Sequence, residues 1–176
     1  MNNIIFMKYG SHALEKVDSI ILRKQKEIEN VGFCFWGYGG TLLHPLKQVL
    51  PFANDKKVYI FFMKTESESL GEGTVYKYYS IDNIKYEKVP MGIKVTGSKK
   101  ALVFNNLRKV DIRVNLCDYE IAIGPSKGKN LSDYMKGRVD KACAVLTEKS
   151  KGEKIVHIDY IAELVEPYAV FLKEEI

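Results

Sequence analysis

Apolar positions recur along this chain with two different periods, and those periods predict its elements. Ile4-Ile5-Phe6-Met7 is a short continuous apolar run closed by Tyr9, Gly10 and Ser11, the pattern of a first strand. Leu14, Val17, Ile21 and Ile28 then return at three- and four-residue steps, which places them on one face of a helix. Ser11 suits the N-cap, because its hydroxyl can accept from a first-turn amide that has no partner within the helix. Asn30 and Gly32 supply the stop, so the helix is expected to end at about Asn30. Arg23, Lys24 and Lys26 fall largely off the apolar stripe.

Phe33-Cys34-Phe35-Trp36 reads as a short aromatic strand running into Gly37-Tyr38-Gly39-Gly40. Thr41 opens a short helix over 42–49, confined by Pro45. The run from Lys57 to Met63 is apolar without alternation, as in a central strand buried on both faces. Residues 65–73 form a polar, glycine-flanked loop. From Thr74 to Ile123 the texture changes to short β-rich runs: 74–79, 84–89, 92–95, 101–104, 110–116 and 119–123. Such spacing favours antiparallel hairpins or a meander. Val139, Ala142, Cys143 and Leu146 mark a second long helix over 131–148, and 155–158 and 168–172 are closing strands, with Pro167 at the start of the last. These elements compose a mixed α/β (α+β) fold in one globular domain, 1–176. About three helices pack on a mixed, largely antiparallel sheet, and a half-closed barrel is a variant of the same arrangement.

Bulk composition narrows the class. With 46% hydrophobic and 28% charged residues, the 176-residue chain has the average make-up of a folded globular protein and not of a disordered one. Cys34, Cys117 and Cys143 are far apart and lie in apolar runs without a CxxC pair, so reduced core thiols are expected and no zinc ribbon is written. The first residues lack a basic segment followed by a long apolar one, and the run from Val58 to Met63 is too short to cross a bilayer. A cytoplasmic protein without membrane contact is therefore expected. The net charge of +5 is mild, but its distribution is uneven. Eight Lys and Arg residues between Lys85 and Arg113 oppose only Glu87 and Asp111, while the tail from Asp159 is mostly acidic. This permits a basic face for an anionic partner.

Two glycine-rich turns carry the candidate chemistry. In the first, Trp36-Gly37-Tyr38-Gly39-Gly40-Thr41 joins a strand to a helix start, so backbone amides can point at phosphate oxygens while the rings stack on a base. The plainer reading is a tight turn whose aromatics plug the core. The second, Gly124-Pro125-Ser126-Lys127-Gly128-Lys129-Asn130, again leads from a strand to a helix start and adds two ammonium groups. Here the plainer reading is an ordinary connection capped by Asn130 or Ser132. Neither turn has the order of a P-loop or a dinucleotide fingerprint.

His44, beside the first turn, is the best acid–base candidate, with Thr41 orienting a substrate; His12 is a lesser one at a helix start, and His157 reads as structural. No histidine or cysteine spacing writes a metal site, no cofactor is called for, and no nucleophile signature is present. Tyr76, Tyr78, Tyr79 and Tyr86 interleave with Lys77, Lys85 and Lys88, which suits stacking plus phosphate contact or a half-buried meander. The leading expectation is a module that binds a phosphorylated ligand, either nucleotide or nucleic acid, through Trp36, Gly37, Tyr38, Gly39, Gly40, Ser126, Lys127, Gly128 and Lys129. One alternative is a small enzyme acting on a nucleotide-like substrate through His44. Another is a compact inhibitor, of mobile-element or phage type, that binds a host nucleic-acid machine as its protein partner. Homo-oligomers are compatible with all three.

Overall fold

The computed structural model describes residues 3–12, 14–38, 50–53, 57–68, 73–137 and 139–176. The first apolar run becomes β1 (Asn3–Ser11), and the run from Val58 becomes β3 (Val58–Glu68). They lie side by side in parallel, Ile4 opposite Tyr59 and Met7 opposite Phe62. Both are continuous because both their faces are covered. Ile5, Met7, Ile60 and Phe62 enter one core cluster, and Ile4, Phe6, Phe61 and Met63 enter another.

A parallel pair needs a crossover, and here it runs through α1 (Val17–Val31), β2 (Cys34–Tyr38) and α2 (Leu50–Ala53). α1 lays Val17, Ile21 and Ile28 on the first cluster. It ends where the stop signal stands: Gly32 adopts φ 102° and donates its amide to the Ile28 carbonyl at 2.8 Å. Its start departs from expectation. β1 continues through Ser11, which pairs with Glu68, and α1 begins only at Val17, behind Lys16, whose side chain makes no cap bond. Strand pairing has claimed the residue that local sequence offers as a cap.

The other strands are β4 (Val75–Tyr76), β5 (Tyr78–Ser80), β6 (Glu87–Lys88), β7 (Val95–Thr96), β8 (Lys100–Asn115), β9 (Tyr119–Ile121), β10 (Lys141–Leu146) and β11 (Ile155–Lys173). The large sheet runs β2-β8-β11-β3-β1-β10-β9, with β5 on β11 and β6 on β5, while β4 and β7 form a separate pair. It is a mixed sheet in which β1–β3 is parallel and the other described ladders are antiparallel. A third core cluster packs Phe35, Val103 and Val170 against Tyr76 and Val95.

Residues 131–148 do not form the predicted second helix. A single turn, α3 (Leu131–Tyr134), is followed by Gly137 at φ 61° and then by β10. β10 pairs with β1 on one side and β9 on the other, which buries Lys141 to Ala144. A short run buried all round carries no period of its own, so strand pairing decides its conformation. The helix expected over 42–49 lies outside the described residues. The described residues thus hold one long helix with single-turn pieces, not about three packed helices. The sheet stays open with β2 and β9 at its ends, so the half-closed barrel is not formed.

The runs at 101–104 and 110–116 belong to one strand, β8, and the two closing strands are likewise one, β11. Their register shifts three times, the last between Leu164 and Ala169. Pro167 sits within that break, where no ladder donor is required of it. No described helix is long and apolar enough to cross a membrane. The three cysteines are free and buried, and burial pushes the Cys34 and Cys143 thiols up, away from the reactive thiolate.

Candidate functional site

β2 delivers Trp36 and Gly37 to the wall of a hollow of about 610 Å³, which the end of β1, the start of α1 and Asp140 complete. A contiguous hollow of about 310 Å³ shares Lys8, His12, Trp36, Gly37 and Asp140, and adds Tyr38 and Lys141. The indole packs edge-on to Phe62 at 5.3 Å and tilted to Phe104 at 6.1 Å, yet remains partly exposed on the hollow side. Gly37 is glycine for a steric reason. A Cβ there would stand 2.0 Å from the Thr96 carbonyl oxygen, because β2 is pressed against the backbone of β7.

His12 is held at the mouth by its own backbone. Its amide donates to the Glu15 carbonyl at 3.0 Å, and the Glu15 amide returns the bond at 2.8 Å. The imidazole Nε2 is buried and has no hydrogen-bond partner among the described residues. It faces Gly97, at φ 104°, where a Cβ would come within 3.5 Å of it. Such a buried orphan is rare, because an unmade hydrogen bond costs about 1–3 kcal/mol. Lys8, on the same wall, also has no hydrogen bond or ion pair for its ammonium among the described residues.

The remaining cations are already committed. Arg23 holds Glu15 at 2.8 Å and Glu27 at 3.2 Å, and donates to the Lys94 carbonyl at 2.8 Å. Lys24 is buried, and its ammonium reaches Glu27 at 3.2 Å, the Phe35 carbonyl at 2.5 Å and the Lys94 carbonyl at 2.8 Å. This clamp fastens α1 to β2 and to Lys94, the residue before β7, and so fixes the back of the hollow. The Arg23 hydrogen bonds hold the Glu15 carboxyl below its usual range, while burial holds the Lys24 ammonium below its own. Lys141 meets Asp140 at 2.5 Å and lies 5.8 Å from the centre of the Tyr38 ring. Burial pushes that phenol up, so Tyr38 stays neutral.

The second turn is built differently from its anion-binding reading. The Lys127, Gly128 and Lys129 amides donate to the carbonyls of Gly124, Ile121 and Ser126, so the turn consumes its own donors. Asn130 caps α3 through the Ser132 amide at 3.0 Å, and α3 is a single turn with little dipole to offer. Ser126 to Lys129 do not line either hollow; Lys127, Gly128 and Lys129 are exposed. Trp36, Gly37 and Tyr38 come together with His12 at the hollows. Gly39, Gly40, Thr41 and His44 lie outside the described residues.

Two other constellations have structural partners. His157 lies between two carboxylate acceptors, Asp111, 2.5 Å from Nε2, and Asp159, 3.1 Å from Nδ1, tying β8 to β11 on an exposed face. The Tyr76 hydroxyl donates to the Gly97 carbonyl at 2.9 Å, that of Tyr79 to Glu87 at 3.1 Å, and that of Tyr86 to Asn83. No cluster of His, Cys, Asp and Glu suited to a metal is found among the described residues.

Sequence reasoning missed Lys8, Asp140 and the burial of Lys24. Lys24 had a signal: it stands three residues after Ile21 and four before Ile28, squarely on the helix stripe. Lys8 and Asp140 had none, since only the lateral pairing of β1 with β10 brings them together; the Lys8 amide donates to the Asp140 carbonyl at 2.7 Å. Compared with protein-family models, with curated proteins and with solved structures, the chain matches none.

Proposed function

We propose that the joined hollows bind a small phosphorylated ligand of the nucleotide class. The observation that carries this reading is the meeting of a partly exposed indole, Trp36, with two polar groups that lack partners among the described residues, the Lys8 ammonium and His12 Nε2. An aromatic face stacks on a flat base, while an ammonium and an imidazole N–H donate to phosphate oxygens. A volume of about 610 Å³ is that of a small-molecule site, which favours a single nucleotide over a polymer. The charge that would hold it comes from β1 and His12, and not from the turn at Ser126–Lys129, where the Lys127, Gly128 and Lys129 amides are occupied.

Trp36 is the chain's one tryptophan, so its fluorescence reports on the site directly. Adenosine and guanosine mono- and triphosphates should each be titrated while emission and Tm are followed. At a hundredfold excess over Kd a true ligand stabilises by about 2.7 kcal/mol, a rise of roughly 5–10 °C for a chain of this size. Lys8→Ala should weaken binding about tenfold or more while the fold is retained. Saturating nucleotide that changes neither emission nor Tm would overturn the reading, as would a Lys8→Ala variant with wild-type affinity.

A further inference from the structure

We infer, on top of the nucleotide reading above, that the ligand is recognised through a terminal phosphate, and that its binding draws one proton into the site at His12. The charged groups that line the hollows are Lys8 from β1, Glu15 before α1, Arg23 and Lys24 from α1, and Asp140 and Lys141 at the start of β10. Arg23 and Lys24 are balanced by Glu15 and Glu27, and Lys141 is balanced by Asp140. Among the described residues one uncompensated positive charge, that of Lys8, is left for a ligand. It matches a phosphodiester, which carries one negative charge.

A terminal phosphate carries close to two at neutral pH, because its second pKa is about 6. Enclosing it against Lys8 alone would bury an excess negative charge, which is costly in a partly desolvated site. His12 supplies the missing charge. Its Nε2 is buried and has no partner among the described residues, and His12 lines the hollow that Lys8 also lines, so protonation there makes a donor beside the anion. The proton rests on the imidazole, whose N–H then donates to a phosphate oxygen. The reciprocal backbone bridge between His12 and Glu15 fixes the main chain that carries the ring without the ligand, which lessens the ordering needed on binding.

Titration calorimetry of the whole chain with adenosine monophosphate and with cyclic AMP, a diester, tests this. Measurements at about pH 7.5, where a terminal phosphate has lost its second proton, should be made in two phosphate-free buffers of different ionisation heat. The monophosphate should take up close to one proton, and the cyclic diester none. His12→Asn should abolish that uptake and weaken the monophosphate about tenfold more than it weakens cyclic AMP. Monophosphate binding whose heat is independent of buffer, or proton uptake that survives His12→Asn, would overturn the inference and leave the nucleotide reading intact. Failure of both nucleotides to bind would remove that reading and this one with it.

Discussion

Lys24 and Glu27 occupy positions that an amphipathic helix ordinarily gives to leucine, and they are tolerated because every charge has a partner. The Lys24 ammonium has one carboxylate and two carbonyls, and Glu27 accepts from Arg23, Lys24 and the Lys94 amide. Removing one member leaves the other buried and under-bonded. Lys24→Met should therefore lower stability by about 3 kcal/mol, seen as a drop in the urea midpoint at constant slope, and adding Glu27→Leu should recover part of the loss. Gly37 has a different constraint, that of space. Since a Cβ would strike the Thr96 carbonyl oxygen at 2.0 Å and backbone cannot step aside cheaply, Gly37→Ala should cost at least about 2 kcal/mol by chemical denaturation. Gly32 has room but a left-handed φ, so Gly32→Ala should cost only about 1 kcal/mol.

Among the elements, β8 and β11 form the longest ladder, and His157 adds a side-chain tie across its exposed end. The hydrogen bond it donates to Asp111, with Asp159 assisting, raises the His157 pKa above its usual value. The bond to His157 in turn lowers the Asp111 carboxyl. A raised histidine contributes stability that is complete below the unfolded value of about 6.5 and is lost as pH rises through the folded one. A lowered aspartate contributes stability that is complete above about 3.9 and is lost as pH falls through its folded value. Both contributions are whole between about pH 4 and 6.5. In low salt, Tm should fall as pH is raised from that window through the folded His157 pKa, and His157→Gln should flatten that part of the profile. An unchanged profile in the variant would show the tie to be energetically silent, as many exposed ion pairs are. β10 gives the complementary lesson: Ala142, Cys143 and Ala144 have modest strand propensity, and they are extended because β1 and β9 supply ladders on both sides.

At the scale of the whole molecule, the last strand in sequence lies in the middle of the sheet. β11 pairs with β3, β8 and β5, and it contributes Ile158, Ala162 and Val170 to three different core clusters. It joins β2-β8 to β3-β1-β10-β9, so the two halves of the large sheet are not connected before it is in place. A chain cut before Ile155 should give no cooperative thermal transition, and a sharp transition in that fragment would disprove this dependence. Pairing of β11 with β3 joins residues about a hundred positions apart, such as Ile161 and Phe61. Refolding should accordingly be slow for the chain length, in milliseconds to seconds by stopped-flow fluorescence of Trp36.

By itself the sequence determined the local features that a few neighbouring residues encode. These are the body and C-terminal stop of α1, the strands around Ile4–Met7 and Val58–Met63, the inert buried thiols, and a mixed α and β make-up. Tertiary pairing decided the rest. It turned 141–146 into a strand, fused short runs into β8 and β11, left the sheet open, and took Ser11 from the helix. It also assembled the hollow, because Lys8, His12, Trp36 and Asp140 share no local pattern and meet only where strands from distant parts of the chain lie together. Periodicity reports which face of an element is buried, whereas a site of this kind depends on which elements become neighbours, and the energy of that choice is spread over the whole core.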